Sequence, residues 1–273
     1  MDLEEILEVN KKQKEFYNTK QKNFATKIWS KIRHGLLANI RKEIGISNQI
    51  YALHKEWIGE VKDKKVLDLG CFSGNHLSVY LAENAKEYIG LDLSDVGIKK
   101  LNQKILHLKN AKGVVADFLS DSDFPDSDFD IIYAYGVLHH FQNVDIIINK
   151  LNQKLASGGV VISYDPLETN FSVKLFRTIY RPFQSDKDWE WPFTKKTFYK
   201  FKENFYIQSM YGVLGKTKWF FLINIIPMSK ERKMKLGKKW HNQDWVKSSE
   251  SERYMFNCMH LTMKMIKKEY SHQ

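Results

Sequence analysis

The chain has 273 residues, 43% of them hydrophobic and 14% aromatic, which is enough for one large core or two small ones and too apolar for a disordered segment. Its net charge of +11 is unevenly spread: residues 195–273 hold 17 Lys and Arg against 6 Asp and Glu, whereas residues 61–194 hold 15 against 18. Two cysteines, Cys71 and Cys258, set aside a disulfide framework and a cysteine-built metal centre, and fit a reducing compartment.

The first residues, MDLEEILEVNKKQKEF, are charged throughout and lack the apolar stretch of a secretory leader. The longest apolar run, Trp219–Met228, is ten residues, about half of what a membrane-spanning helix requires. The expected location is therefore cytoplasmic. Residues 1–60 read as an N-terminal helical cap. A first helix is predicted from Leu3 to Tyr17, with apolar positions at Leu3, Ile6, Leu7, Val9 and Phe16. A second is predicted from Phe24 to Glu43 on Ile28, Trp29, Ile32, Leu36, Leu37 and Ile40, stopped by Gly45, and a third from Asn48 to Glu60.

From Lys65 to Tyr164 the pattern alternates. Strands are predicted at 65–69, 87–92, 113–117, 129–135 and 159–164, and helices at 76–84, 95–107 and 143–156. Gly158 and Gly159 are read as the left-handed turn that ends the last helix. Apolar strands separated by amphipathic helices imply right-handed crossovers and a doubly wound parallel sheet, a Rossmann-like α/β fold. After Pro166 come helices at 171–180 and 194–202, the latter capped by Thr194, then a strand at 205–211 and a closing strand at 258–267. Between those strands lies a basic, aromatic insertion, 215–247, with no assigned structure. Residues 61–273 are read as one domain: a cofactor half at 61–166, an acceptor and lid region at 167–257, and the closing strand.

A doubly wound sheet binds its ligand at the carboxyl ends of its strands. VLDLGCFSGNH is a strand running into such a turn, with Asp68, Gly70 and Gly74 at its corner. A phosphate-binding P-loop needs Lys and a hydroxyl residue after its last glycine, and neither follows Gly74. A dinucleotide fingerprint needs a second glycine where Phe72 stands, so hydride transfer is disfavoured too. Asp92 ends the second strand, where a carboxylate can accept both hydroxyls of a ribose; dinucleotide enzymes carry an acid at the same point. Asp117 is expected to close the third strand, in reach of an adenine amine. Tyr135 to His140 follow the fourth strand, and Asp165 ends the fifth.

In this order the residues resemble the class I S-adenosylmethionine-dependent methyltransferases over roughly residues 60–170. The pattern D-x-G-C-x-x-G stands as Asp68-Leu69-Gly70-Cys71-Phe72-Ser73-Gly74, followed by Asp92, Asp117 and VLHHF. The resemblance implies S-adenosyl-L-methionine as cofactor and a seven-stranded sheet ending in an antiparallel hairpin. It implies that Asp68 and the turn Gly70, Cys71, Phe72 and Gly74 border the methionine, that Asp92 holds the ribose beside Leu93, and that Asp117 takes the adenine amine with Phe118 against the ring. Tyr135 joins this set. Tyr17 resembles the N-terminal aromatic that closes over the cofactor in relatives. Relatives often carry Gly at the position of Phe72, so Phe72 is expected to turn away from the cofactor carboxylate.

A hydroxyl acceptor benefits from a general base, and His139 and His140 are the candidates. The spacing resembles the rebeccamycin-type sugar O-methyltransferases, which implies His139 as base with Asp165 as its partner. The competing reading is that one ring of the pair packs or binds backbone and that Asp165 with Pro166 forms a turn. VLHHF is not the motif of nucleic-acid amino-methylating relatives, and no cysteine stands after strand four as in RNA cytosine C5 enzymes, so nucleic acid rests on charge alone. The expected partner is a small-molecule acceptor: a sugar or cell-envelope glycan precursor, anionic or lipid-linked, with peripheral membrane contact through the basic insertion. A quinone-type acceptor and an RNA-associated or non-catalytic cofactor-binding role are the alternatives.

Overall fold

The computed structural model describes residues 3–19, 42–184 and 187–269. The predicted second helix, from Phe24 to Glu43, falls almost wholly outside the described residues.

Seven strands form one sheet in the order β3-β2-β1-β4-β5-β7-β6. They are β1 (Lys65–Leu69), β2 (Glu87–Asp92), β3 (Ala111–Val115), β4 (Phe129–Tyr135), β5 (Leu155–Pro166), β6 (Phe205–Val213) and β7 (His260–Lys267). The first five run parallel, and β7 enters antiparallel between β5 and β6. The strand order reverses between β1 and β4, so the carboxyl ends of β1, β2 and β4 surround the crevice where such sheets hold ligands.

Strand alternation divides the core. Leu67 and Leu69 of β1 face the helices α5 (Val144–Lys154) and α7 (Lys195–Asn204), packing with Ile147, Leu151, Phe198 and Phe201. Val66, one residue out of phase, faces α2 (Ile46–Ile58), α3 (His76–Asn84) and α4 (Asp95–Ile105) and packs with Leu53, Leu81 and Leu101. α3 begins where the Asn75 side chain accepts the backbone N–H groups of Leu77 and Ser78, and Ser78 Oγ accepts the Asn75 N–H in return. Such a box contributes about 1 kcal/mol and fixes the exit of the glycine turn.

Three expectations are corrected. β3 spans Ala111–Val115, so Asp117 lies two residues beyond the strand rather than closing it. α5 ends at Lys154 and β5 begins at Leu155; Gly158, at φ 66°, belongs to an irregularity in the β4–β5 pairing, not to a helix end. The basic insertion is ordered: a 3-10 segment, Lys216–Ile225, precedes the helix α8 (Lys230–Glu250). Asp244 of α8 is fully buried and its carboxylate accepts the N–H groups of Lys216 and Thr217 at 2.7 and 2.8 Å and the Tyr254 hydroxyl at 2.7 Å. Polar residues on the inner face of α8, His241, Asp244 and Ser248, hide its helical period from a reading of apolar spacing. Two further helices are α1 (Leu3–Thr19) and α6 (Phe171–Tyr180), and a single α-helical turn, Glu252–Met255, follows α8.

Candidate active site

At the end of β1 the chain turns sharply. Gly70 and Gly74 take left-handed backbone conformations, with φ of 67° and 71°, and so does Phe72 at 47°. The left-handed region is costly for a residue with a Cβ, and two contacts hold Phe72 there. Its N–H donates to Asp92 Oδ2 at 2.9 Å. Its ring and backbone lie against Gly97 in the first turn of α4, where even a methyl group would come within 2.6 Å of the ring. Phe72 is thus turned toward α4. Lys104 of α4 donates to the carbonyls of Ser73 and Gly74 and closes the turn from the outside.

Asp68 is 2% exposed and its Oδ2 accepts the Tyr88 hydroxyl at 2.9 Å. Burial pushes its carboxyl up to about 7 against the pull of the Ser78 and Tyr88 hydroxyls. Cys71 is buried in the core beneath the turn, and burial near Asp68 and Asp92 pushes its thiol up, so it packs as a neutral group. Asp92 Oδ1 accepts the Ser94 N–H at 2.8 Å. Burial raises its carboxyl; the N–H groups of Ser94, Phe72 and Leu93 pull it back down. Asp117 accepts the Leu119 N–H on Oδ1 at 2.9 Å and the Asn10 side-chain amide on Oδ2 at 2.7 Å. Phe118 is buried in the core with its ring edge-on to Phe141.

On the other side of the switch point, Tyr135 ends β4 and stacks between Tyr51 and Tyr164 at centroid distances of 5.5 and 4.8 Å. A 3-10 turn, Leu138–His140, then presents the two histidines. His139 and Asp165 come together: Nδ1 lies 2.9 Å from Asp165 Oδ1, and the His139 backbone N–H donates to the same oxygen at 3.1 Å. Both are buried. Burial pushes the Asp165 carboxyl up to about 7, while the His139 N–H and nearby His140 pull it down. Asp165 is a strand residue of β5, so it and Pro166 do not form a turn. His140 is held differently, by the Trp189 carbonyl at 2.6 Å from Nδ1 and the Tyr17 hydroxyl at 3.4 Å from Nε2.

α1 crosses this whole edge. Asn10 meets Asp117 beyond β3, Asn18 meets Ser94 and Asp95 after β2, and Tyr17 meets His140 after β4. Phe16 packs on Trp189, in the strap that binds the histidine turn, where the Trp191 N–H also donates to the His139 carbonyl. Apolar spacing found α1 but not Asn10 or Asn18. A polar residue four positions after Ile6, on the face meant to be buried, is the signal that marks Asn10.

The residues fit an adenosine ligand. Asp92 and Asp117 each use only part of the roughly four acceptor sites of a carboxylate, which leaves capacity for ribose hydroxyls and an adenine amine. A methyltransferase-domain family model matches residues 33–210, more than half of the sequence. The chain belongs to this methyltransferase family. Its sheet order and hairpin are those of the class I S-adenosylmethionine-dependent members, and S-adenosyl-L-methionine is the methyl donor of the family. The fold resembles the N-methyltransferase NodS of Bradyrhizobium japonicum, whose structure holds S-adenosylhomocysteine, at 13% identity and a TM-score of 0.52 over 81% of this chain and 87% of NodS. Among curated relatives, a tRNA U34 carboxymethyltransferase of Campylobacter lari is 33% identical over 110 residues, 39% of this chain and 37% of the relative. A chloroplastic tocopherol O-methyltransferase of Arabidopsis thaliana is 30% identical over 142 residues, 45% of this chain and 40% of the relative. The chain thus matches less than half the length of either relative. No described group of His, Cys, Asp and Glu could hold a metal ion.

Proposed function

We propose that this methyltransferase is a cytoplasmic O-methyltransferase acting on a hydroxyl of a small molecule, with a sugar or glycan precursor as the leading acceptor class. The observation that carries the reading is the buried His139–Asp165 pair at 2.9 Å. S-adenosyl-L-methionine supplies an activated methyl group on sulfur. The chain's own residues must align a nucleophile, exclude water and take up the proton that a hydroxyl releases. With Asp165 ionised, Nδ1–H donates to Oδ1, which assigns the ring's lone pair to Nε2. His139 is then the base and Asp165 its positioning carboxylate; the second hydrogen bond from the His139 backbone fixes the turn to the same oxygen. Asp92 and Asp117 hold ribose and adenine, and the Gly70–Gly74 turn borders the methionine.

A cavity of about 260 Å³ adjoins Leu138, and its walls include Gln142, Glu168, Arg181, Trp191 and Thr194. Hydrogen-bonding groups around an indole suit a hydroxyl-rich ring. A tRNA acceptor is the second reading, favoured by the carboxymethyltransferase relative and by the exposed lysines of α8. The test is methyl transfer from radiolabelled donor to a panel of nucleotide sugars, quinols and tRNA. Label is expected on the sugar panel, and His139→Ala is expected to lower kcat by on the order of 10²–10⁴-fold with donor affinity retained. Full activity in that variant overturns the base, label on tRNA alone overturns the acceptor, and no binding of S-adenosylhomocysteine by calorimetry overturns the whole reading.

A further inference from the structure

Two apolar segments leave the sheet from the edge that carries His139 and Asp165. β5 and β6 run parallel, and both end on the row of His260, Pro166 on one side and Val213 on the other. α6 follows β5, and the 3-10 segment Lys216–Ile225 follows β6. Thr169, two residues before α6, and Lys218, in the first turn of the 3-10 segment, are tied to adjacent carbonyls of one connection: Thr169 Oγ1 donates to Phe256 O, and Lys218 Nζ donates to Asn257 O at 2.7 Å. The segments therefore start close together at one end of the sheet.

Each carries apolar side chains outward. Phe171, Leu175 and Ile179 recur every four residues and share one face of α6. With Trp219, Leu222 and Ile226 they are between 39% and 79% exposed. Single exposed apolar residues are ordinary on a protein surface, but six large ones on two segments that start together, with Ile226 capping the second, are not. The charge beside them has one dominant sign. Lys174 of α6 and Arg232, Lys235, Lys238 and Lys239 of α8 are exposed, with Glu231 the acid among them. α8 packs on the 3-10 segment through Phe220 and Gly237 and turns those cations outward.

We propose that α6, the 3-10 segment and the outer face of α8 form one docking surface for an anionic lipid bilayer. No described helix is long and apolar enough to cross a membrane, so the contact is interfacial. Large apolar side chains enter the boundary of headgroups and acyl chains while lysines and arginines meet lipid phosphates. A second copy of this chain fits less well, because self-association would bring the same cationic fringe against itself. Docking sets the His139 edge of the sheet against the lipid surface, where a lipid-borne acceptor is within reach. The inference rests on the surface and stands independently of which acceptor is methylated.

The test is co-sedimentation of the full chain with vesicles of phosphatidylcholine alone or with about one third phosphatidylglycerol. Binding to the anionic vesicles is expected to exceed binding to the neutral ones at least tenfold and to fall with salt. Leu175→Asp with Ile179→Asp, and separately Lys235→Glu with Lys238→Glu and Lys239→Glu, are each expected to lower it at least tenfold while S-adenosylhomocysteine binding by calorimetry is kept. Brominated acyl chains are expected to quench tryptophan fluorescence in the wild type and not in Trp219→Phe, which reads the contact without a charged substitution. No preference for anionic vesicles, or equal binding by the α6 variant, overturns the proposal. A dimer in sedimentation velocity that Leu175→Asp dissociates also overturns it, assigning the surface to a second copy of the chain.

Discussion

A histidine beside a carboxylate accepts a proton only when the pair holds one proton rather than two, and the burial of Asp165 decides where that happens. Its carboxyl, pushed up to about 7, keeps a second proton on the pair toward neutrality. Activity is therefore expected to rise with pH through about 7 as that proton leaves, and a pH profile of kcat/KM measures it. In Asp165→Asn the rise should shift and kcat should fall by on the order of 10²–10⁴-fold, because an amide no longer enforces the Nδ1–H tautomer. An unchanged profile in that variant means that the pair is structural. Asp68 makes the opposite comparison, a buried carboxyl held by hydroxyls. The unfolded chain releases its proton above about 4, whereas the folded chain keeps it to about 7. The protonated carboxyl thus contributes stability at acid pH that is lost as pH rises through about 7. Asparagine at position 68 can still accept the Tyr88 hydroxyl and carries no such penalty. Urea unfolding is expected to find that the advantage of Asp68→Asn grows by about 2–3 kcal/mol between pH 5 and pH 8. An advantage that does not change with pH would show that Asp68 is ionised at low cost.

At the scale of elements, what periodicity carries was legible and what side-chain networks carry was not. The strands β1, β2 and β4 and the helix α3 stand at their predicted residues because their apolar spacing and flanking glycines agree. Asp117 slipped two residues out of β3 because GVVADF reads as one apolar run, while Asp117 bends back to accept the Leu119 N–H. α8 was missed as a helix because Asp244 and Ser248 are buried by hydrogen bonds instead of apolar packing. The pairing of His139 with Asp165 was expected from resemblance, yet the strap from Trp189 to Trp191 that holds both histidines has no periodic signal at all. α1 joins the two kinds of evidence. Among its described side chains, the buried ones are one apolar residue, Ile6, and two polar ones, Asn10 and Gln13. Its ion pair between Lys14 and Asp95 is exposed and contributes at most about 1 kcal/mol. α1 spans the ends of β2, β3 and β4 through Asn18, Asn10 and Tyr17, and only about 10 Å³ of cavity is left between it, Leu119, His140 and Trp191, which places it as a cover over this edge of the sheet. A chain lacking residues 1–19 is expected to keep its fold and release S-adenosylhomocysteine at least tenfold faster, read by stopped-flow fluorescence. Release at the wild-type rate rejects α1 as the barrier.

For the molecule as a whole, the last described strand in sequence is an interior one in the sheet, between β5 and the edge strand β6. β7 pairs with β5 from Val160 through Pro166 and with β6 from Phe205 through Val213, so β6 reaches the sheet only through it. Leu261, Met263 and Met265 of β7 are almost completely buried. At about 2 kcal/mol each they contribute roughly 6 kcal/mol, comparable with the roughly 5–15 kcal/mol net stability of a whole domain. The hydrogen bonds of two strand edges add to that loss, and both α7, which packs under β6, and α8, which packs over it, lose their support. A chain ending at residue 257 is therefore expected not to fold, whereas one ending at residue 269 should be as stable as the full chain. Circular dichroism on heating decides between them: a cooperative transition in the shorter chain would mean that β1 to β5 form a folding unit by themselves. The expected result makes the acceptor edge depend on the C-terminal strand. His260 of β7 stacks on Tyr164 at 5.2 Å, Tyr164 on Tyr135 and Tyr135 on Tyr51, so one aromatic column runs from the closing strand across β5 and β4 to α2. The same strand that completes this end of the sheet thereby supports the aromatic column beside the histidine turn.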